Sequence, residues 1–197
     1  MLIPTQQAPS LAVPTLAHGD FTLAHQKPQN FTMVVFFRGL HCPICATYLK
    51  DLTQKISEFE ALGVECIAVS SDPLDRAEQM AEKVGSSKLR YGYDFSIAQA
   101  RNWGLHISKG RGKTSIGVEE LALYAEPGLF LIRPDNSLFY VSSQSMPFAR
   151  PSFVDMLGAV RFILEKNYPA RGDVVAEGSA ARWQRSFGHK TPKSGFS

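Results

Sequence analysis

The sequence predicts an α/β fold, in which a central mixed β-sheet is flanked by helices. Two observations predict it. Short runs of β-branched and aromatic residues alternate along the chain with longer stretches whose apolar residues recur at helical spacing, as in a sheet with crossover helices. The last two apolar runs are separated by turn residues instead, which is typical of an antiparallel hairpin.

The first unit consists of a strand, a turn and a helix. The continuous apolar run FTMVVFF at residues 31–37 is typical of a strand that is buried on both faces. From Pro43 onward, apolar residues follow helical spacing until Gly63, which predicts a helix with a glycine stop. Its core-facing positions are Cys45, Leu49, Leu52, Ile56 and Phe59.

The second unit begins with GVECIAVSSD at residues 63–72, which predicts another buried strand. Cys66 lies in the middle of this strand among apolar neighbours, so we expect a buried, unreactive thiol there. The polar residues at the strand's end are suited to cap the helix that Pro73 opens. They are Ser70, Ser71 and Asp72.

The second half of the chain contains three further predicted parts before its last helix. A short helical stretch at 97–103 includes Trp103, which we expect in the core, and a hairpin follows at 128–143. Between them, the glycine- and lysine-rich segment at 106–120 has weak periodicity, which predicts a long loop or insertion. It serves either as a lid or partner-docking surface or as a solvated run of charges. An amphipathic helix at 150–166 closes the domain.

The chain of 197 residues suits one domain with a single core. We assign residues 1–167, with an N-terminal extension, to this domain and residues 168–197 to a basic tail. The tail accounts for the net charge of +3, and no basic stripe continues into the body, so we expect no nucleic-acid partner. No secretory signal or long apolar run is present, which predicts a cytoplasmic protein with no membrane partner.

The stretch FFRGLHCPICATYLKDL at residues 36–52 contains two of the three cysteines, Cys42 and Cys45. Residues three apart on a helix bring their Cβ atoms within about 5–6 Å, which suits a disulfide. Unpaired N–H groups at the first helical turn favour a thiolate at Cys42, and Arg38 and His41 lie nearby in the sequence. Such a thiolate attacks disulfides and peroxide O–O bonds.

Two other interpretations of the cysteine pair are open. Zinc needs two more ligands, and the chain has no second Cys-x-x-Cys and no histidine pair at ligand spacing. Two subunits that each contribute one pair would form a zinc-bridged dimer. Alternatively, both thiols are structural and face the core, which suits Cys45 better than Cys42 because Cys45 lies on the apolar stripe of the helix.

A strand that leads into Cys-x-x-Cys at a helix start, with a later Pro-led hairpin, resembles the thioredoxin-like fold. The succession VVFFRGLHCPICATYL, CIAVSSDPLDRAEQMAEKVG, IAQARNWGL and PGLFLIRPDNSLF is similar to the alkyl hydroperoxide reductase and thiol-specific antioxidant family, the peroxiredoxin-like proteins, over roughly residues 10–167. The resemblance implies no metal or organic cofactor and a cysteine that cycles between thiolate, sulfenic acid and disulfide.

Two positions depart from the peroxiredoxin pattern. That family has a threonine three residues before the attacking cysteine, whereas here Gly39 precedes Cys42, and Cys42 precedes Cys45, at this distance. In the peroxiredoxin register Cys45 attacks; in the thioredoxin register Cys42 attacks and Cys45 resolves.

The second departure is Pro127, which replaces an active-site arginine of the peroxiredoxins at a position where thioredoxins have a cis-proline. A cis Glu126–Pro127 bond would expose backbone groups to an extended substrate, and an ordinary trans bond is the alternative. The candidates for the missing guanidinium are Arg38, Arg111 and Arg150.

These features lead to one hypothesis for function. The chain is a cofactor-free thiol-disulfide oxidoreductase in which Cys42 attacks a hydroperoxide or a substrate disulfide and Cys45 closes a Cys42–Cys45 bridge. Arg38, His41 and Pro127 support the pair, with His41 as a helix-capping neighbour or a proton relay. A thioredoxin- or glutaredoxin-type protein would reopen the bridge, and a homodimer is compatible with the family. The alternative is a non-catalytic redox sensor or binding module.

Overall fold

The structure, a computed structural model, describes residues 1–17 and 19–174. The elements are, in chain order, β1 (Ala12–Val13), β2 (Phe21–Thr22), β3 (Phe31–Phe36), α1 (Pro43–Ala61), β4 (Val64–Val69), α2 (Leu74–Val84), β5 (Arg90–Gly92), α3 (Ile97–Asn102), β6 (Ile107–Lys109), β7 (Leu123–Ala125), β8 (Gly128–Ile132), β9 (Leu138–Ser143) and α4 (Phe153–Lys166).

The central sheet has five strands in the order β5-β4-β3-β8-β9. β3 pairs in parallel with β4 and antiparallel with β8, and β8 continues into β9 as a hairpin. The predicted mixed sheet and the predicted hairpin are therefore confirmed. Because β3 lies at the centre of the sheet, the chain that leaves it enters α1 at the middle of the sheet's edge.

The side chains of β3 alternate between two cores, as the period of a strand requires. Met33 and Val35 pack in the core that contains the apolar faces of α1, α2 and α4. Phe36 packs on the other side, in a core formed with α3 and the N-terminal strands. The fully buried Trp103 contacts Phe36 there with ring centroids 5.2 Å apart, which confirms its expected place in the core.

The segment at 106–120 differs from the predicted loop. Its start and the residues that follow it form an antiparallel pair, β6 with β7, and a bridge between Lys113 and Glu119 organises the turn region. Strands of three residues are too short to show a periodic pattern, so the sequence predicts only an irregular segment. The hairpin has a direct consequence for the site, because it places Glu120 beside Arg38, with 3.3 Å between Oε1 and Nη2.

The two ends of the chain differ in how much the structure describes. The N-terminal extension contributes the β1–β2 pair, in which Val13 is opposite Phe21, and both side chains are buried in the second core. The predicted basic tail falls mainly on residues 175–197, which lie outside the described residues. Within the described ranges, no helix is both long enough and apolar enough to span a membrane.

Candidate active site

A tight turn between β3 and α1 presents the two cysteines. Gly39 has φ of +125°, a conformation that residues with a side chain rarely adopt. Its carbonyl accepts a hydrogen bond from the N–H of Cys42 at 3.1 Å. Pro43 is the first residue of α1, where the absent N–H costs nothing because that group would have no helical partner. Cys42 is therefore the N-cap residue and Cys45 lies in the first turn, as the sequence predicts.

Asp72 holds this turn in place from the end of β4. Its side chain is fully buried, and its Oδ2 accepts a hydrogen bond from the N–H of Leu40 at 2.7 Å. A Cβ atom on Gly39 would lie 2.6 Å from that oxygen, so the turn requires glycine for space as well as for φ. Arg76 Nε lies 3.0 Å from Asp72 Oδ1, which compensates the buried charge.

The capping role expected for the residues before α2 is wrong. The N-cap of α2 is Pro73, and no side chain makes a capping hydrogen bond to the helix. The Asp72 carboxylate is directed to Leu40 instead, and the Ser70 hydroxyl accepts the N–H of Asp72 at 3.3 Å. The polar strand end therefore supports the cysteine turn and not the helix that follows it.

The two thiols are free and differ in protonation. Hydrogen bonds from the thiol and the backbone N–H of Cys45, with the charges of Arg38 and Arg150, outweigh burial and lower the pKa of Cys42 to about 7. Burial, together with the neighbouring Cys42, raises the pKa of Cys45 well above its usual range. At neutral pH a large fraction of Cys42 is therefore thiolate, while Cys45 remains a thiol that can donate a proton.

Arg150, in the loop before α4, contacts the pair directly. Its Nη1 lies 3.5 Å from Cys45 Sγ, and its Nη2 donates a hydrogen bond to the carbonyl of Ile44 at 3.0 Å. Its guanidinium carbon lies 4.0 Å from the centroid of the Tyr48 ring, a cation–π contact that fixes the plane of the fork. Among the three candidate arginines, Arg150 is the one with a contact to a cysteine sulfur.

Arg38 belongs to a second polar cluster beside the turn. Its Nη2 donates hydrogen bonds to Glu120 Oε1, at 3.3 Å, and to the hydroxyl of Tyr124. Its Nε lies 3.5 Å from Glu126 Oε2. The charge of this guanidinium lowers the pKa of Cys42, which supports the predicted proximity of Arg38 to the thiolate.

His41 does not have the charge that the sequence suggested. Its ring is fully buried and lies 4.6 Å, centroid to centroid, from Tyr124. Burial, reinforced by the charge of Arg38, lowers the pKa of His41 to about 4. The neutral ring adds no positive charge beside Cys42 at pH 7. Neither ring nitrogen has a hydrogen-bond partner within the described structure, so His41 does not cap α1; proton relay by this residue stays a prediction.

The Glu126–Pro127 bond is trans, so the cis expectation is wrong. The carbonyl of Pro127 accepts a hydrogen bond from Gln144 N–H at 2.9 Å, and the N–H of Glu126 donates to His106 O at 2.8 Å. These backbone groups are already used by the strands on either side, so they do not pair with an extended substrate. Pro127 lines the same small depression as Arg150, whose guanidinium contacts Cys45; a supporting role for Pro127 stays a prediction.

A cleft of about 560 Å³ adjoins the Arg38 cluster. The β6–β7 hairpin forms one side of it and the loop after β9 contributes Met146 and Pro147, while Arg38 and Tyr124 are also among its walls. The candidate site therefore combines a cysteine pair with a polar cleft that shares Arg38 with it.

The remaining cysteine and the metal hypothesis are separate from this site. Cys66 is half-buried in β4, and burial raises the pKa of its thiol, which keeps it protonated at neutral pH. Among the residues that the structure describes, no three histidine, cysteine or acidic side chains form a group that could hold a metal ion. A zinc site shared between two subunits stays a prediction.

Comparison with solved structures shows the same architecture. Peroxiredoxin 6 of Arenicola marina superposes with a TM-score of 0.70 at 17% identity, over 94% of this chain and 89% of that one. AhpC of Mycobacterium tuberculosis gives 0.67 at 15% identity, over 88% and 99%. A putative thiol:disulfide interchange protein DsbE of Chlorobium tepidum gives 0.59 at 19% identity, over 82% and 97%. At these identities the likeness shows a shared fold.

The fold defines a protein of the thioredoxin-fold class, and it presents two free cysteines at the start of α1. The sequence profile of the AhpC/TSA family matches residues 4–141, and the chain belongs to this family of peroxiredoxin-like enzymes. No curated protein sequence matches the chain.

Proposed function

We propose that this protein is a thiol peroxidase in which Cys42 attacks the substrate and Cys45 resolves the product. The observation that carries the proposal is the opposite displacement of the two pKa values, with Cys42 lowered to about 7 and Cys45 raised. The thiolate is the nucleophile, so the attacking sulfur is Cys42. This favours the thioredoxin register of the pair over the peroxiredoxin register, in which Cys45 attacks.

The cycle has three balanced steps. The Cys42 thiolate attacks the distal oxygen of a hydroperoxide, the O–O bond breaks, and the leaving alkoxide takes a proton to become an alcohol, or water from hydrogen peroxide. Cys42 is then a sulfenic acid. The Cys45 thiol attacks that sulfur, water leaves and the Cys42–Cys45 disulfide closes. An external dithiol reduces the bridge by exchange, giving back two thiols and leaving the dithiol as a disulfide.

The arginines serve the first step in different ways. Arg38 and Arg150 both stabilise the Cys42 thiolate, and a peroxide placed between a thiolate and a guanidinium gains a donor for the oxygen that becomes negative. Arg150 also holds Cys45, through the 3.5 Å contact between Nη1 and Sγ. In this proposal it orients the resolving thiol until the sulfenic acid forms.

A disulfide-reductase activity is the second candidate. The Cys-x-x-Cys spacing at a helix start and the structural likeness to the DsbE protein favour it. The same residues serve both activities, because Cys42 attacks a disulfide sulfur in place of a peroxide oxygen.

We include in the proposal a thioredoxin- or glutaredoxin-type reductant, a location in the reducing cytoplasm, and assembly as a homodimer. Exposed apolar side chains near the site, Met146 and Phe148, support a surface for protein partners.

Single-cysteine variants test the assignment. Reduced Cys45→Ser should still consume one equivalent of hydrogen peroxide and then accumulate a sulfenic acid that dimedone traps at Cys42. Cys42→Ser should lose the reaction, and Cys66→Ser should retain it. The reverse result, with Cys42→Ser active and Cys45→Ser inactive, would show that Cys45 attacks. Repeating the series with an oxidised dithiol protein ranks the disulfide-reductase activity against the peroxidase.

A further inference from the structure

We propose that the cleft beside Arg38 binds a carboxylate-bearing small molecule, which reaches the cysteine pair as the oxidising or the reducing co-substrate. This inference rests on the proposed function, since it names the chemistry of a molecule that Cys42 or the Cys42–Cys45 bridge would meet. It depends on which charges in the cleft are already paired and which are not.

The two acids of the cleft are already engaged. Glu120 accepts hydrogen bonds from Arg38, from Tyr124 at 3.2 Å and from the N–H of Arg111 at 2.8 Å. Glu126 accepts from the Ser108 hydroxyl at 2.5 Å through Oε1, and its Oε2 lies 3.5 Å from Arg38 Nε. Both carboxylates therefore already have cationic or hydrogen-bonding partners within the protein. The acidic side chains therefore serve to fix Arg38 and the hairpin.

Two cations of the same cleft have no acidic partner. Lys109 and Arg111 both line it, both are exposed, and neither forms a salt bridge within the described part of the chain. Gly110 separates them, and a Cβ there would lie 2.4 Å from the carbonyl oxygen of Leu121. Because they are two residues apart along the chain, both cations lie at the same end of the hairpin. An ammonium and a guanidinium so placed suit a carboxylate.

The loop after β9 adds apolar groups to this polar cleft. Met146 and Pro147 line it beside Ser145, and Met146 is 47% exposed. The volume of about 560 Å³ lies within the range of small-molecule sites, roughly 300–1,000 Å³. A polar cleft with two cations that have no acidic partner and with apolar contacts from Met146 and Pro147 fits an organic anion, with a carbon body as well as its carboxylate.

The position of the cleft connects this ligand to the chemistry. Arg38 and Tyr124 line the cleft, and the Tyr124 ring packs against His41, the residue before Cys42, with ring centroids 4.6 Å apart. The charge of Arg38 also acts on the Cys42 sulfur. A carboxylate-bearing hydroperoxide would give its distal oxygen to Cys42 and leave as the hydroxy acid. Two equivalents of a carboxylate-bearing thiol would instead reduce the Cys42–Cys45 bridge and leave as their own disulfide. The hydroperoxide and the thiol are the two alternative classes of molecule that would bring a carboxylate to the cleft.

Matched acids and esters test the inference by rate. We expect the reduced protein to react faster with linoleic acid hydroperoxide than with its methyl ester, or the oxidised protein to react faster with 3-mercaptopropionate than with its methyl ester. The double variant Lys109→Gln, Arg111→Gln should lose about fivefold to tenfold of the rate for the favoured acid and none for its ester, since charge-assisted contacts are strong only with the anion. The control pair, Lys83→Gln and Arg101→Gln, removes exposed cations from α2 and α3 and should change neither rate.

A non-reactive probe separates this inference from the proposed function. Octanoate should shift the backbone NMR signals of Lys109 and Arg111, octanamide should not, and the double variant should abolish the binding. If octanoate binds in this way while no hydroperoxide or disulfide oxidises Cys42, the cleft assignment stands and the peroxidase proposal fails. If octanoate binds the wild type and the double variant alike, or not at all, the inference is overturned whatever the activity.

Discussion

The carboxylate of Asp72 occupies the space beside Gly39 where any other residue would carry its Cβ, at 2.6 Å from Oδ2. The same oxygen accepts the N–H of Leu40 at 2.7 Å. The chain therefore turns against a buried acid immediately before Cys42. Since Gly39 also has φ of +125°, both space and backbone conformation select glycine at this position.

Gly39→Ala should destabilise the protein and slow its chemistry. The methyl group meets the Asp72 carboxylate and the residue is forced into a strained φ, together at a cost of about 1–3 kcal/mol. Displacement of the turn moves Cys42 relative to Arg38, so the peroxide rate should also fall. Urea unfolding and peroxide consumption measure the two effects.

Gly158→Ala is the matched control for this substitution. Gly158 lies inside α4 with no atom within 4 Å of a built Cβ, so alanine should add about 0.5–1 kcal/mol of stability through helix propensity. The peroxide rate should be unchanged. Equal stability changes in the two variants would contradict the role assigned to the Asp72 contact.

The pH dependence of thiol reactivity should follow Cys42. Its pKa is lowered to about 7 by the hydrogen bonds from Cys45 and by two arginines, so the thiolate fraction rises with pH and half of the maximal rate is reached near pH 7. Alkylation of the reduced Cys66→Ser protein by iodoacetamide, followed from pH 5 to 9, measures this midpoint.

Cys45→Ala should move that midpoint upward. The substitution removes the thiol hydrogen bond, which is the largest of the effects that lower the Cys42 pKa. A Cys45→Ser protein retains a hydroxyl donor and should stay closer to the wild type. If the midpoint lies near 9 in the wild type and does not respond to Cys45→Ala, the pair is not polarised as the structure indicates.

Much of this site could be predicted from sequence because its signals are local. The spacing of Cys42 and Cys45, Pro43 at the helix start and the apolar stripe of α1 all lie within one turn and one helix. The mixed sheet is likewise visible in the continuous apolar run of β3 and in the turn residues of the last hairpin. Local periodicity and local capping carry enough information to fix these features.

The partners of these residues could not be predicted, since they come from distant parts of the chain. Glu120 and Tyr124 reach Arg38 across more than eighty residues, from a segment with no periodic pattern. Asp72 follows a strand and precedes a proline, where helix capping is the default interpretation; only the three-dimensional approach to Leu40 reveals its role. The hydrogen bonds that Glu126 and Pro127 make to both flanking hairpins likewise connect distant parts of the chain, and no spacing encodes them.

Arg150→Gln should raise the pKa of both the Cys42 and the Cys45 thiol. The guanidinium contacts Cys45 Sγ at 3.5 Å, and its charge lowers the pKa of Cys42, so its loss raises the Cys42 midpoint and slows the peroxide reaction by about threefold to tenfold at pH 7. Arg150→Lys should not restore the rate fully, since lysine lacks the planar fork that stacks on Tyr48. Stopped-flow rates across pH separate a shifted midpoint from a lower plateau.

Arg161→Gln, in α4, is the control for the removal of one positive charge from the protein. Arg161 pairs with Glu58 at 2.6 Å, and both side chains are about half exposed, so the pair contributes little, roughly 0–1 kcal/mol. Neither the midpoint nor the rate should change. Equal effects of the two substitutions would mean that Arg150 acts only through the overall charge.

His41→Phe should reduce the loss of stability in acid. The pKa of the buried imidazole is lowered to about 4, below its ordinary value of 6.5, so between these pH values the unfolded chain binds more protons than the folded one. Stability therefore falls as pH decreases through this window, by at most about 3 kcal/mol from this group. Phenylalanine removes that dependence and can keep the ring contact with Tyr124. Urea unfolding at pH 7 and pH 4 should show a smaller difference for His41→Phe than for the wild type, whereas His106→Gln, at an exposed position, should leave the difference unchanged.

The alkylation midpoint of Cys42 should also be unchanged in His41→Phe, because a neutral ring contributes no charge to the thiolate. A clear upward shift would instead show that His41 is protonated beside Cys42 at neutral pH.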